Sequence, residues 1–220
     1  MEANHKIRLI YREEIAQEVY YIKLERLEDF TPGQLLALSD SPGGDVRYYS
    51  IASATRDEYW GILYNKMNEG WLTPWLSRLQ KGDILYTSLP FGEFLPRRFP
   101  MVWIATGTGI APFHSMTGSG CADEDTILIH GARQKEDFYF YEDFRQELKS
   151  RYIACSSTSE QPGLYPGRLS RYLEEEFSYR ESPEERRFFL CGSSAMVVDI
   201  RDLLLSKGVD FGMITSEIYF

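Results

Sequence analysis

Cysteine is scarce: Cys121, Cys155 and Cys191 are the whole complement of a 220-residue chain. An odd number of widely spaced thiols excludes a fully paired disulfide scaffold, fits a reducing compartment, and leaves a four-cysteine iron–sulfur cluster out of reach. His5, His114 and His130 are scattered without ligand spacing, so no metal site is expected. Positive charge is also in deficit, with 24 Lys and Arg against 33 Asp and Glu and a net charge of -9. Phosphate neutralisation needs a broad excess of cations, so nucleic acid is not an expected partner. No apolar run approaches the roughly 20 residues of a membrane span. The opening Met1 to Lys6 has no apolar signal core, so no membrane span and a cytoplasmic location are expected. Neither a strand-turn nucleophile motif nor a Ser, His, Asp arrangement stands out.

What is abundant is apolar and aromatic material. Hydrophobic residues make up 43% of the chain, enough for real cores, and aromatics 15%, useful where flat rings must be stacked. From Lys6 to about Pro96 short β-type runs are separated by turn residues: Ile7 to Tyr11, Val19 to Leu24, Gln34 to Leu38, Arg47 to Ala52, Tyr59 to Lys66 and Ile84 to Leu89. Six such strands and one short helix near Thr73 to Leu79 predict a small antiparallel barrel. The rhythm changes after Leu95 to Pro100. Apolar runs at Met101 to Thr106, Thr126 to His130, Arg151 to Cys155 and Arg187 to Cys191 are followed by helical patterns, among them Tyr141 to Lys149, Arg168 to Phe177 and Ala195 to Lys207. Strand and helix in alternation predict a parallel, Rossmann-like sheet. The expected division is 1–97 and 98–220.

Two segments carry most of the chemistry. In Gly107-Thr108-Gly109-Ile110-Ala111-Pro112, glycines directly follow an apolar strand, which suits close approach of a pyrophosphate; an ordinary tight turn looks the same. In Arg47-Tyr48-Tyr49-Ser50, strand alternation puts Arg47 and Tyr49 on one face and Tyr48 and Ser50 on the other. An aromatic barrel strand would read alike, yet the residues match a flavin's needs: Arg47 for the pyrophosphate, Tyr49 for a ring face, Ser50 for the N5 edge. Gly70-Trp71-Leu72-Thr73, at a helix start, offers amides and a hydroxyl for phosphate, or simple N-capping by Thr73.

Taken in order, these motifs resemble the ferredoxin NADP reductase family, particularly its short bacterial branch. Tyr48 and Tyr49 fit its Arg-x-Tyr-Ser flavin motif and Gly107 to Phe113 its glycine turn. Leu190-Cys191-Gly192 with Met196 fits its late nicotinamide motif, and Glu217 to Phe220 its acidic and aromatic terminus. The first 40 residues match only in pattern. The resemblance implies a six-stranded antiparallel Greek-key FAD-binding barrel (1–97). An NADP(H)-binding α/β domain (98–220) follows, its C-terminal tail reaching back to the flavin.

The resemblance also implies roles. For FAD they fall on Arg47, Tyr48, Tyr49, Ser50, the backbone of Leu63, Tyr64 and Asn65, then Trp71, Leu72, Thr73 and Thr108. Tyr219 would cover the isoalloxazine and Phe220 the adenine. For NADP they fall on Thr106, Gly107, Gly109, Cys191, Gly192 and two cations for the 2′-phosphate, Arg133 and Arg168. Ser159 stands where many NADP-specific members carry an arginine. Ser50, Cys191 and Glu217 are the expected catalytic group, aligning the hydride path without acting as covalent nucleophiles. The implied activity is hydride transfer between NADPH and FAD, with single electrons exchanged with ferredoxin or flavodoxin. The alternatives are an NAD(P)H-dependent reductase of free flavin, a quinone or an oxygenase component, and a non-catalytic interaction subunit.

Overall fold

A computed structural model describes residues 2–97, 100–178 and 186–219. The chain forms two compact units that interleave in sequence, Met1–Pro96 with Ala111–Cys121, and Arg97–Ile110 with Ala122–Phe220.

The first unit holds β1 (His5–Ala16), β2 (Val19–Glu25), β3 (Leu35–Ser39), β4 (Arg47–Ser50), β5 (Tyr59–Asn65), a short helix α1 (Leu72–Leu76) and β6 (Ile84–Thr87). The sheet order is β4-β3-β6-β1-β2-β5, antiparallel throughout. A bridge between Ile51 and Ile62 and a bond from Ala52 N–H to Gly61 C=O (2.7 Å) join the two edges, closing the Greek-key barrel. Alternation does the sorting: Ile7, Leu9, Ile22 and Leu24 are buried, and with Leu36, Leu38, Trp60, Ile62 and Tyr64 they fill the interior. A helix from the middle of the chain, α2 (Ala111–Gly118), packs with this unit. Ser115 Oγ donates to Ser53 C=O at 2.7 Å, and His114 Nδ1 donates to Ala52 C=O at 2.7 Å.

The second unit is a parallel sheet. Its strands are β7 (Met101–Thr106), β8 (Ile127–Ala132), β9 (Tyr152–Ser156), the two-residue β10 (Tyr165–Pro166), β11 (Arg187–Ser193) and β12 (Ile214–Tyr219), in the order β10-β9-β8-β7-β11-β12. Between them lie α3 (Tyr141–Leu148), α4 (Leu169–Glu175) and α5 (Ser194–Ser206). Val102, Ile104, Ile129, Leu190, Leu169, Val197, Ile200 and Leu204 make the core. The chain builds outward from β7 through β8 to β10, then returns to β7's other side with β11. The carboxyl end of β7 is therefore the topological switch point, where open α/β sheets bind ligands.

The six expected barrel strands and four expected parallel strands all form. The structure adds β10 and β12, the latter from residues read in sequence as a tail. No described helix is long and apolar enough to cross a membrane.

Candidate functional site: a barrel anion site and a cleft at the strand ends

In the first unit β4 carries the Arg47 to Ser50 motif beside β3, with Leu35 opposite Ser50 and Leu38 opposite Arg47. Arg47 is exposed, and its guanidinium lies over the Trp71 ring, 5.8 Å from the centroid. Its one hydrogen bond among the described residues goes to the Val46 carbonyl (2.8 Å), so no carboxylate neutralises it there. Tyr49 is half-buried and meets Tyr64 edge-on at 6.2 Å. Burial pushes the Tyr49 hydroxyl above its usual range, with Arg47 acting the other way, so it stays protonated. Tyr48 is 54% exposed and meets the Phe91 ring in a T-shaped contact at 5.5 Å. Ser50 is buried.

Leu63 and Tyr64 are buried and Asn65 is exposed, so little of the first two beyond backbone can face a ligand. Thr73 does not cap α1. Trp71 occupies the cap position, and Thr73 Oγ1 instead accepts from Met67 N–H at 2.9 Å. The threonine hydroxyl proton stays available to an anion. An unneutralised guanidinium, two partly open aromatic faces and a free hydroxyl fit an aromatic, pyrophosphate-bearing cofactor.

In the second unit a cleft of about 520 Å³ opens at the carboxyl ends of β7, β8 and β9. Thr106 and Gly107 line it with Arg133, Arg168, Asp137, Tyr139, Ser157, Met196 and Asp199. The glycine turn is held tight: a Cβ on Gly109 would sit 2.3 Å from the Cys191 carbonyl oxygen, so no side chain fits there. Gly192, at φ +155°, is similarly constrained, because a Cβ would lie 2.5 Å from Thr106 Oγ1 and 2.6 Å from Met196 Cε. These two glycines let the turn after β7 pack against the end of β11, and Gly107, at φ +56° with nothing within 4 Å of an added Cβ, is the one that faces open space in the cleft.

Beside it, Ala105, Cys191 and Glu217 are direct partners across β7, β11 and β12. Cys191 is buried, and burial pushes its thiol well above the usual range, with Glu217's charge adding; a hydrogen bond with Tyr219 opposes them. A thiol so held is no nucleophile at neutral pH. Glu217 and Tyr219 are half-buried, two residues apart on one strand face.

Arg133 and Arg168 are exposed and form no salt bridge among the described residues. The Arg133 carbonyl accepts from Ser156 Oγ (2.7 Å) and from Thr158 N–H (3.0 Å), which fixes the loop that bears it. Ser159 donates its N–H to Ser156 Oγ, and Ser157 is the member of that loop lining the cleft.

The structure thus brings together Thr106, Gly107, Arg133 and Arg168 in one group, and Cys191, Glu217 and Tyr219 in another, while Arg47, Tyr49, Trp71 and Thr73 gather in the first unit. Thr108 is half-buried in the turn. Phe220, the expected adenine cover, lies outside the described residues. Three cleft residues had gone unnoticed in sequence: Asp137, Tyr139 and Asp199. Asp199 does leave a trace, three residues after Met196 and directly before Ile200 on α5; Asp137 and Tyr139 leave none. Burial pushes the Tyr139 hydroxyl up to about 12, with Asp137's charge contributing, so it stays protonated in the cleft. No cluster of three or more His, Cys, Asp or Glu able to hold a metal occurs among the described residues.

A family model for the oxidoreductase NAD-binding domain matches residues 103–202. The toluate 1,2-dioxygenase electron transfer component of Pseudomonas putida is 27% identical over 92% of this chain and 62% of its own length. The chain therefore spans less than two thirds of that relative. A ferredoxin–NADP reductase of Azotobacter vinelandii is 27% identical over 74% of this chain and 73% of its own. Among solved structures, a ferredoxin NADP+ reductase from Neisseria gonorrhoeae superposes with a TM-score of 0.86, at 23% identity and 98% coverage of both chains.

Proposed function

We propose that the chain is a member of the ferredoxin NADP reductase family, an FAD-dependent oxidoreductase that takes a hydride from NADPH and delivers single electrons to a ferredoxin or flavodoxin. The observation that carries this is the cleft at the β7 switch point. Thr106 and Gly107, the latter with open space where a side chain would be, line it at the strand end where phosphate can approach, Arg133 and Arg168 line it without a salt bridge among the described residues, and Cys191 pairs with Glu217 on the neighbouring strands. The FAD and NADP bound in the Neisseria gonorrhoeae protein support the same two ligands here.

We assign residues 1–97 to FAD and 98–220 to NADP(H). FAD is held by Arg47 and Thr73 at its phosphates, by Tyr48, Tyr49, Trp71 and Tyr219 through ring faces, by Ser50 and Thr108, and by the backbone of Leu63 to Asn65 and Leu72. NADP(H) is held by Thr106, Gly107, Gly109, Cys191 and Gly192, with Arg133 and Arg168 toward the 2′-phosphate. Bound FAD supplies the conversion of a hydride pair into single electrons. Ser50, Cys191 and Glu217 contribute position: Cys191 stays a neutral thiol, Glu217 a partly shielded carboxylate, and Tyr219 moves aside when nicotinamide enters. We place the protein in the cytoplasm.

An absorbance spectrum followed by anaerobic titration tests this. A yellow protein bleached by NADPH supports it; a colourless protein that FAD cannot reconstitute sinks it. A second reading, reductase of an oxygenase component, is favoured by the match to the toluate dioxygenase component over 92% of this chain. Supplying a ferredoxin, a flavodoxin and an oxygenase in turn, and measuring which accepts electrons fastest, separates the two.

A further inference from the structure

The cleft in the second unit carries two arginines and two aspartates, so its formal lining charge is zero. Among the described residues Asp199 forms neither a hydrogen bond nor a salt bridge, and Arg133 and Arg168 form no salt bridge. Asp137 is partly spent, accepting from Gln134 N–H at 3.4 Å. Asp199 is exposed on α5, one residue before buried Ile200 and three after Met196, and all three residues line the cleft. Its carboxylate is not used by the fold.

A carboxylate is an acceptor only. It accepts from the hydroxyl of a ribose and repels a phosphate, whereas an arginine attracts the phosphate. A cleft that presents both selects a ligand offering phosphate oxygens and free hydroxyls together. The serine-rich loop adds no further cation: Ser157 lines the cleft, and Ser159 is tied by its backbone to Ser156.

We propose that Asp199 sets the dinucleotide selectivity of this cleft, offsetting the arginines and accepting from a ribose hydroxyl, so that the chain binds NADH about as readily as NADPH. This rests on the dinucleotide reading given above. Asp199 is then a specificity-determining residue, and the substrate class widens to dinucleotides with or without a 2′-phosphate.

The test is calorimetric titration of the flavin-loaded protein with ADP-ribose and with 2′-phospho-ADP-ribose, neither of which can donate a hydride. The two dissociation constants are expected within about fivefold of each other, since opposite charges in the cleft nearly cancel. Asp199→Asn is expected to shift the ratio toward the 2′-phosphorylated ligand by about fivefold, and Asp199→Glu to keep the wild-type ratio. A wild-type preference beyond about fiftyfold for the phosphorylated form, or an unchanged ratio in Asp199→Asn, overturns the inference and leaves the dinucleotide reading intact. Binding of neither ligand to the wild-type protein overturns both.

Discussion

The two units make their sites from different materials. The barrel presents side chains: a guanidinium over an indole, a half-buried phenol and a threonine hydroxyl at the start of α1. The parallel sheet presents backbone: the open turn at Gly107, held against β11 by the close packing of Gly109 and Gly192, then strand ends, and only then the arginines of the flanking loops. Side-chain sites weaken by increments when one group is removed. Backbone sites fail by steric exclusion, because a carbonyl cannot rotate out of the way as a long side chain can. Burial holds titratable groups neutral in both units, Tyr49 and Tyr64 in the barrel among them. Buried Cys155, Cys191, His130 and Tyr152 are all held in their neutral forms in the sheet, where burial pushes the Cys155 thiol up to about 12.

The largest effect is therefore expected from the smallest substitution. Gly109→Ala puts a methyl group 2.3 Å from the Cys191 carbonyl oxygen and 2.6 Å from the Gly192 nitrogen. A cost of about 3 kcal/mol is expected in chemical denaturation of the second unit, together with loss of nicotinamide-driven flavin bleaching. If stability and bleaching both persist, the turn is not packed against β11, and the contrast between the units is lost.

The next effect is the acid sensitivity of the sheet. His130 is fully buried among Phe138, Phe144 and Tyr152; its Nδ1 lies 3.0 Å from Tyr152 Oη, and Nε2 has no partner among the described residues. Burial lowers its pKa to about 3, so the folded chain resists the proton that the unfolded chain accepts. The stabilisation is complete above the unfolded value near 6.5 and is lost as pH falls from there toward about 3, at roughly 1.4 kcal/mol per pH unit. At pH 5 that amounts to about 2 kcal/mol. Between pH 7 and 5 the wild type is expected to lose about 2 kcal/mol more stability than His130→Phe, read from denaturation midpoints measured from pH 7 to 4. Parallel curves would show that His130 takes its proton inside the fold.

Sequence made the side-chain half of this contrast readable and left much of the backbone half closed. The barrel strands were legible because alternation sorts Ile22 and Leu24 from Tyr21 and Lys23 residue by residue. The parallel strands were legible as apolar runs, being covered on both faces. The strand β12 was not. Ile214 to Tyr219 carries Ser216 and Glu217 within it, and its place at the sheet edge comes from hydrogen bonds to β11, which composition does not announce. The glycines were visible as letters, but that Gly109 abuts Cys191 required the fold. Asp199 was hidden for the opposite reason: one carboxylate on an amphipathic helix looks solvated until the cleft around it is seen.

Arg47→Ala probes the barrel's increments. The guanidinium has no carboxylate partner among the described residues and packs over Trp71, so its loss should leave folding nearly unchanged. A charged contact to phosphate is worth about 1.5 to 3 kcal/mol, which corresponds to at least about tenfold weaker retention of FAD on dilution. Fluorescence of the released flavin reads this directly. A variant that unfolds instead of shedding flavin would mean that the barrel, too, depends on its site residues for stability.

Arg133→Ala asks the same question of the sheet, and its expected effect is the smallest. The loop bearing Arg133 is fixed through the Arg133 carbonyl by Ser156 and Thr158, so the backbone keeps its place when the side chain is cut back. What is removed is one exposed cation beside the 2′-phosphate position, a screened charge worth about 1 kcal/mol. NADPH is then expected to lose about fivefold in kcat/KM while NADH keeps nearly all of its own. Equal losses for both nucleotides would move Arg133 from the 2′-phosphate to a part the two share. Its side chain would then support the whole ligand, as Gly109 does from the backbone, and the line between the two kinds of site would run through the second unit instead of between the units.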